Sequence, residues 1–324
     1  MSQSLTNRHE ILFLYEARDC NPNGDPLDEN RPRTDADTGQ ATVTDVRIKR
    51  TVRDYLHQTK DLEILIRDSL EDDGTLKDGK GRCAEFIARC DLDPEAKLAA
   101  IVPEVEKRIL SDCIDARLFG ATLPVELGKK KGSIKLTGPV QFSAFNRSLH
   151  AVSPVFIQQT AAFASKKGMT QKSFAERWIL PYALICCHGV VNENAARSTG
   201  MTEDDFNLLL EGLWQGTNSL NTHSKMGHRS MLLVSLTFEP GYHLGGLGER
   251  VRLVSGLEDA KIRKASDYSV DITVLLKAMA AAGDRLIKAE AIWDDRLVLE
   301  ADGVKESIDK LAKKYKLEFG QLAF

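Results

Sequence analysis

The sequence predicts an α+β fold, a sheet of ferredoxin-like or RRM-like type carrying long excursions. Three observations predict it. A dense apolar stretch, His9 to Ala17, runs through a turn into an amphipathic helix. A capped helix beginning at Thr202 leads through a polar loop into a second apolar stretch, Met231 to Phe238. Between them lies a charged, helical segment from about Lys60 to Arg108, broken at Gly74, Gly79-Lys80-Gly81 and Pro94, which reads as an insertion outside the sheet.

Taken in order, His9 to Ala17 has the β-favouring density of a buried strand and ends at the rigid turn Asn21-Pro22-Asn23-Gly24-Asp25-Pro26. A second turn, Asn30-Arg31-Pro32-Arg33, precedes a helix signalled by Thr44 as N-cap and Asp45 in its first turn. At about 100° per residue, Ile48, Val52, Tyr55 and Leu56 gather on one side, with Lys49, Arg50 and Arg53 on the opposite arc and Arg47 at its edge. One face should pack and the other should be basic. Arg117 to Gly120 and Ile134 to Phe145 read as strand, so the sheet is expected to resume there behind the basic loop Lys129 to Gly132. Asn146 to Lys172 has no period and reads as an extended arm or hairpin with its tip at Ser165 to Gly168. After the Thr202 helix and the strand to Phe238, a helix is expected around Val270 to Lys288, a strand near Glu290 to Leu299 and a last helix over Val304 to Lys316.

The 324 residues are 42% hydrophobic with a net charge of −3, an ordinary globular composition. No apolar run reaches membrane-spanning length and MSQSLTNRHE lacks the regions of a signal peptide, so a cytoplasmic location is expected. Net acidity argues against a protein that coats nucleic acid over its whole surface. Arg31 to Arg53, however, carries six Lys/Arg against three Asp, a local +3 suited to holding a polyanion. Six cysteines without a C-x-x-C pair signal neither disulfides nor zinc, and Cys186-Cys187-His188 reads as core thiols within an apolar run.

Catalytic patterns are weak. Gly245-Gly246-Leu247-Gly248 lacks nucleotide-binding spacing and reads as a mobile loop. Asp25, Asp28, Asp35 and Asp37 could hold Mg²⁺, but turn aspartates commonly serve local hydrogen bonds, and the histidines show no pairing with a nucleophile. Asn221 to Gly227 offers a modest phosphate cradle with Ser224 and Lys225, and the apolar arm near Phe156 offers residues able to stack on or wedge between bases.

These motifs together, with Gly138-Pro139-Val140-Gln141-Phe142 and Ser224-Lys225-Met226-Gly227, resemble the backbone subunit of type I CRISPR Cascade complexes, the seventh Cas protein family, over about His9 to Phe238. Pro181 to Leu184 and Gly189 to Ala196 resemble its I-B branch more than its I-C branch. The resemblance implies an RRM-like palm (1–59, 111–147 and 173–324), helical fingers (60–110) and a thumb hairpin (148–172). It implies copies stacking as a helical filament on the CRISPR RNA guide, beside other Cascade subunits, with the target DNA strand reached by guide pairing. Guide contacts would fall to Asn21, Asn23, Arg31, Arg33, Arg47, Lys49, Arg50, Arg53, Ser224 and Lys225, and thumb contacts to Phe156, Ile157, Phe163 and Met169. It implies no catalytic residue, cofactor or metal. A helicase-nuclease or a transposition apparatus as downstream partner stays open, and the rival reading is a type III-like metal-dependent ribonuclease using Asp25. A guide-holding protein must accept any spacer, so contacts to backbone rather than base edges are expected.

Overall fold

A computed structural model describes residues 4–71, 73–92, 97–128, 130–164 and 172–324. Its centre is a nine-stranded sheet. From one edge to the other the strands run Gly320–Gln321, Leu286–Trp293, His228–Phe238, Arg8–Cys20, Lys172–Val191, Phe145–Ala151 and Gln40–Thr44, with Val140–Phe142 and Val155–Ala164 also pairing on Lys172–Val191. The first strand is central, antiparallel to both neighbours.

Its position explains its composition. Ile11, Phe13 and Tyr15 enter one core with Ile48, Val52, Leu56, Leu209 and Leu213, while Leu12 and Leu14 enter a second with Leu184, Val234, Leu276 and Leu311. A strand covered on both faces takes apolar residues on both, so over Ile11 to Tyr15 no alternation survives. Each fully buried side chain of this kind contributes about 1.5–3 kcal/mol. The basic helix (Asp45–Lys60) and the helix Glu203–Asn218 pack on the first face, and their approach is close: a Cβ at Gly212 would lie 3.0 Å from Val52 Cγ1. Thr202 caps the second helix with a full capping box.

The insertion is larger than expected. Helices Gly79–Ala88 and Leu98–Asp112 share a third core with a hairpin, Gly120–Leu127 with Lys130–Thr137, through Phe86, Ile101, Ile109, Leu123, Val125 and Ile134. This hairpin pairs outside the main sheet, so the expected resumption near Arg117 is corrected to Val140. Arg117 to Phe119, expected as strand, ends a short helix, Ile114–Phe119, closed by Gly120 at φ +70°. An added Cβ there would lie 2.2 Å from the Leu136 carbonyl oxygen, so glycine satisfies both the left-handed backbone and the close strand.

The hairpin found here differs in its bounds from the expected arm, whose tip at 165–168 lies outside the described residues. Phe145–Ala151 belongs to the sheet, and the hairpin is Val155–Ala164 paired with the first part of the 20-residue strand Lys172–Val191, from Lys172 to Ile179. The strand then continues without a break into the sheet, with Leu180 facing Cys20 and Tyr182 facing Arg18. The loop Gly245 to Gly248, expected to be mobile, is pinned: the buried Glu10 carboxylate accepts the Leu244 and Gly245 N–H groups, and Leu247 is buried. In the C-terminal part, the expected helix is Thr273–Ala282, and the expected strand divides into Leu286–Trp293 and Leu299–Ala301. Among the described residues no helix is long and apolar enough to cross a membrane.

Candidate nucleic-acid interface

Where the first strand leaves the sheet, its turn is built from both asparagines. Asn21 is buried and its Nδ2 donates to the Asn30 carbonyl at 2.6 Å, closing the loop on itself. Asn23 Oδ1 accepts the Thr44 N–H at 2.8 Å and the Thr44 hydroxyl at 3.0 Å, while Thr44 Oγ1 accepts the Arg47 N–H. The turn is thus tied to the cap of the basic helix. A Cβ on Gly24 would meet Asn30 Oδ1 at 1.9 Å, so the loop closes only around glycine. Asp25 is committed locally: Oδ1 accepts the Leu27 N–H at 3.0 Å and Oδ2 pairs with Arg33 at 2.9 Å.

The second loop locks onto the first. Ser224 O accepts the Asn21 N–H and Gly227 O accepts the Arg18 N–H, both at 2.9 Å. A Cβ on Gly227 would fall 1.6 Å from Arg18 O. Lys225 Nζ donates to the carbonyls of Asn21 and Pro22. Burial, with repulsion from Arg47, pushes the Lys225 ammonium down to about 8. Behind it His228 Nδ1 donates to the Lys225 carbonyl, its ring stacks on Tyr15, and burial pushes its pKa down to about 4. Tyr15 and Phe13 lie under helices, so the sheet offers no open aromatic of its first strand for base stacking.

The basic helix does not present all its cations. Arg53 is buried, its Nε 2.9 Å from Asp115 Oδ2 and its guanidinium 5.0 Å above the Phe119 ring. This corrects the expectation that it lies on an open arc: the short helix Ile114–Phe119 packs over that side of the helix. Lys49 pairs with Asp45 at 2.9 Å, and Arg50 is held by Asp54 and Asp68. Arg47 differs. Its guanidinium donates to Thr51 Oγ1 at 3.0 Å, and among the described residues no carboxylate lies within ion-pair distance.

Arg31 and Arg33 open onto a cavity of about 550 Å³, which they share with Asp25, Asp28, Asp35 and Arg147. Arg31 also lies 4.8 Å above the Trp178 ring, and Trp178 meets Phe156 at 5.1 Å across the arm hairpin. Arg177 donates to His223 Nε2 at 2.8 Å, joining the arm to the second loop. The two turns and the root of the arm therefore meet around one cavity, with guanidinium groups for phosphates and an aromatic pair for bases, whereas Arg47 lines a separate small pocket with Tyr15, Pro22, Leu220 and His228. Phe156 is exposed and Ile157 half-buried at this root; the Phe163 side chain and Met169 lie outside the described residues. Sequence reasoning missed Arg147, Arg177 and Trp178. The Arg177-Trp178 pair, a cation beside an aromatic at the start of an apolar run, was the available signal.

Comparison with known proteins shows the family. The family described as CRISPR-associated protein Cas7 matches residues 7–273. A CRISPR-associated protein Cas7 from Haloferax volcanii is 32% identical over 311 residues, covering 91% of this chain and 89% of that protein. A solved chain of a CRISPR RNA-guided surveillance complex, pre-nicking, superposes with a TM-score of 0.55 at 12% identity, covering 98% of this chain and 96% of that one, a likeness of fold.

Proposed function

Because this chain belongs to the CRISPR-associated Cas7 family, we propose that it is a non-catalytic backbone subunit that holds a guide RNA by its phosphates in an RNA-guided surveillance complex. The observation that carries this reading is the joining of both turns to the N-terminus of the basic helix, with Arg31 and Arg33 opening onto one cavity beside them. A helix N-terminus tied to a turn that carries guanidiniums attracts phosphates without regard to base identity. The nine-stranded sheet with its flanking helices serves as an RRM-like palm, and the insertion, extended through Thr137, as the fingers. The hairpin Val155–Ala164 with Lys172 to Ile179 serves as the thumb. Copies stack along the guide beside the other subunits, leaving base edges free to pair with target DNA. Asn21 and Asn23 contribute by shaping the turn, Ser224 by bonding the two loops, and Lys49 and Arg50 by lending charge at the margin. Nothing in the geometry favours a ribonuclease, since both Asp25 carboxylate oxygens are engaged within the turn.

The test is to express the chain with its neighbouring genes and a guide, then digest the purified assembly with nuclease. RNA fragments protected at a regular repeat are expected; purification free of bound RNA overturns the reading. In binding assays, Arg31→Ala should reduce the slope of log affinity against log salt by about 0.7, equally for unrelated RNA sequences.

A further inference from the structure

Lys225 stands at the junction of the two loops, yet its ammonium faces inward. Of its three N–H donors, two are taken by the carbonyls of Asn21 and Pro22. Both carbonyls belong to the turn that follows the first strand, and the same turn accepts the Arg33 N–H at Asn23 O and presents Asn21 N–H to Ser224 O. The lysine's own carbonyl is held by the buried His228 ring and backbone, so its main chain is fixed as well. A phosphate taken by this ammonium would have to displace carbonyls already satisfied in a buried place, leaving them unpaired. Arg31, on the cavity and over the Trp178 ring, offers the same anion a guanidinium with no carboxylate partner among the described residues, a better bargain for the ligand.

We infer that Lys225 is a positioning residue: it acts on bound RNA through the Asn21 and Pro22 carbonyls, setting the turn from which Arg31 and Arg33 reach the cavity, and takes no phosphate itself. The inference rests on the guide-holding reading and deepens it. Sequence resemblance placed Lys225 among the phosphate contacts; the geometry reassigns it.

Single-stranded RNAs of two unrelated sequences, titrated by fluorescence anisotropy across a range of KCl, test this on the full chain. Lys225→Met should weaken both about tenfold, the value of about one charge-assisted hydrogen bond, with the salt slope unchanged. Lys225→Gln, which retains an N–H donor for one carbonyl, should recover part of the loss. Amide exchange should quicken at Asn21 and Arg33 in Lys225→Met while Leu12 to Leu14 in the central strand stay protected; if that variant unfolds globally, the glutamine variant carries the comparison. A slope reduced by about 0.7, as for Arg31→Ala, would make Lys225 a phosphate ligand and overturn the inference. So would unchanged affinity in a folded variant, which would make it structural only. Failure of the wild type to bind either RNA would strike the guide-holding reading first, and this inference with it.

Discussion

Arg53 tests most sharply whether the basic helix is read correctly. Its guanidinium and the fully buried Asp115 carboxylate meet at 2.9 Å, and the same carboxylate accepts the Leu65 N–H at 2.7 Å and the Ile66 N–H at 3.1 Å. One ion pair thus anchors the basic helix, the start of the insertion and the helix Ile114–Phe119 at a single point. Two unit charges about 4 Å apart attract by about 4 kcal/mol at an effective dielectric of about 20. Removing one partner of a buried pair costs a comparable ~3–5 kcal/mol, because the other charge is left uncompensated. Arg53→Met keeps a flexible apolar stem beside Phe119 and deletes the charge. Over 324 residues the unfolding entropy is roughly 0.7 kcal/mol per kelvin, so the melting temperature should fall by about 4–7 °C. Arg50→Met, on the exposed side of the same helix, should cost no more than ~1 kcal/mol. Adding Asp115→Asn to Arg53→Met should restore part of the loss, since the amide oxygen still accepts one N–H without a buried charge. Urea and thermal unfolding supply the values, with RNA salt dependence measured in parallel. A loss below ~1 kcal/mol for Arg53→Met together with a lower salt slope would refute the reasoning and return Arg53 to the phosphate surface.

Two further outcomes follow from the same geometry. His228 is buried and titrates near 4 when folded, against about 6.5 when unfolded, so between those values the unfolded chain binds more protons and stability falls as pH falls. That loss, up to about 3 kcal/mol, should appear in urea midpoints of the wild type and shrink in His228→Gln. Trp178→Ala should weaken single-stranded RNA by about 1–3 kcal/mol with the salt slope nearly unchanged, as base stacking rather than phosphate contact predicts; an effect confined to melting temperature would make the Trp178–Phe156 pair structural only.

The parts legible in the sequence were those written locally. Thr44 capping, the Thr202 capping box and the apolar density of the central strand each state their structure within a few residues, and all three stand in the fold. Arg53 was illegible because its partner, Asp115, is 62 positions away: helical periodicity gives an arc, and only tertiary packing decides what covers that arc. The hairpin Gly120–Thr137 reads as sheet by composition, and nothing local says that it will bury Leu123 and Ile134 against the insertion's helices. Pro181 lies inside Lys172–Val191, although proline normally argues against a central strand. It is tolerated because the pairing with Val155–Ala164 has ended at Ile179 and the register with the first strand passes from Leu180 to Tyr182 around it. The candidate surface was found in its loops and its helix start, while its aromatic half, Trp178 under Arg31, required knowing how the arm folds back.

That unbroken strand makes the arm a lever rather than a tether. On the side of Lys172–Val191 its root carries no linker, while residues 152–154 join the other side: the residues that pair within the hairpin and those that pair with the central strand share one backbone, and the proline at the junction has a locked φ angle. A load applied along the arm is therefore transmitted as torque into the middle of the sheet, where cores on both faces resist it. The angle at which the hairpin projects is inherited from the right-handed twist of the strand itself, not chosen on contact with a partner. The direction in which the arm leaves the sheet is thus set by the backbone of one strand.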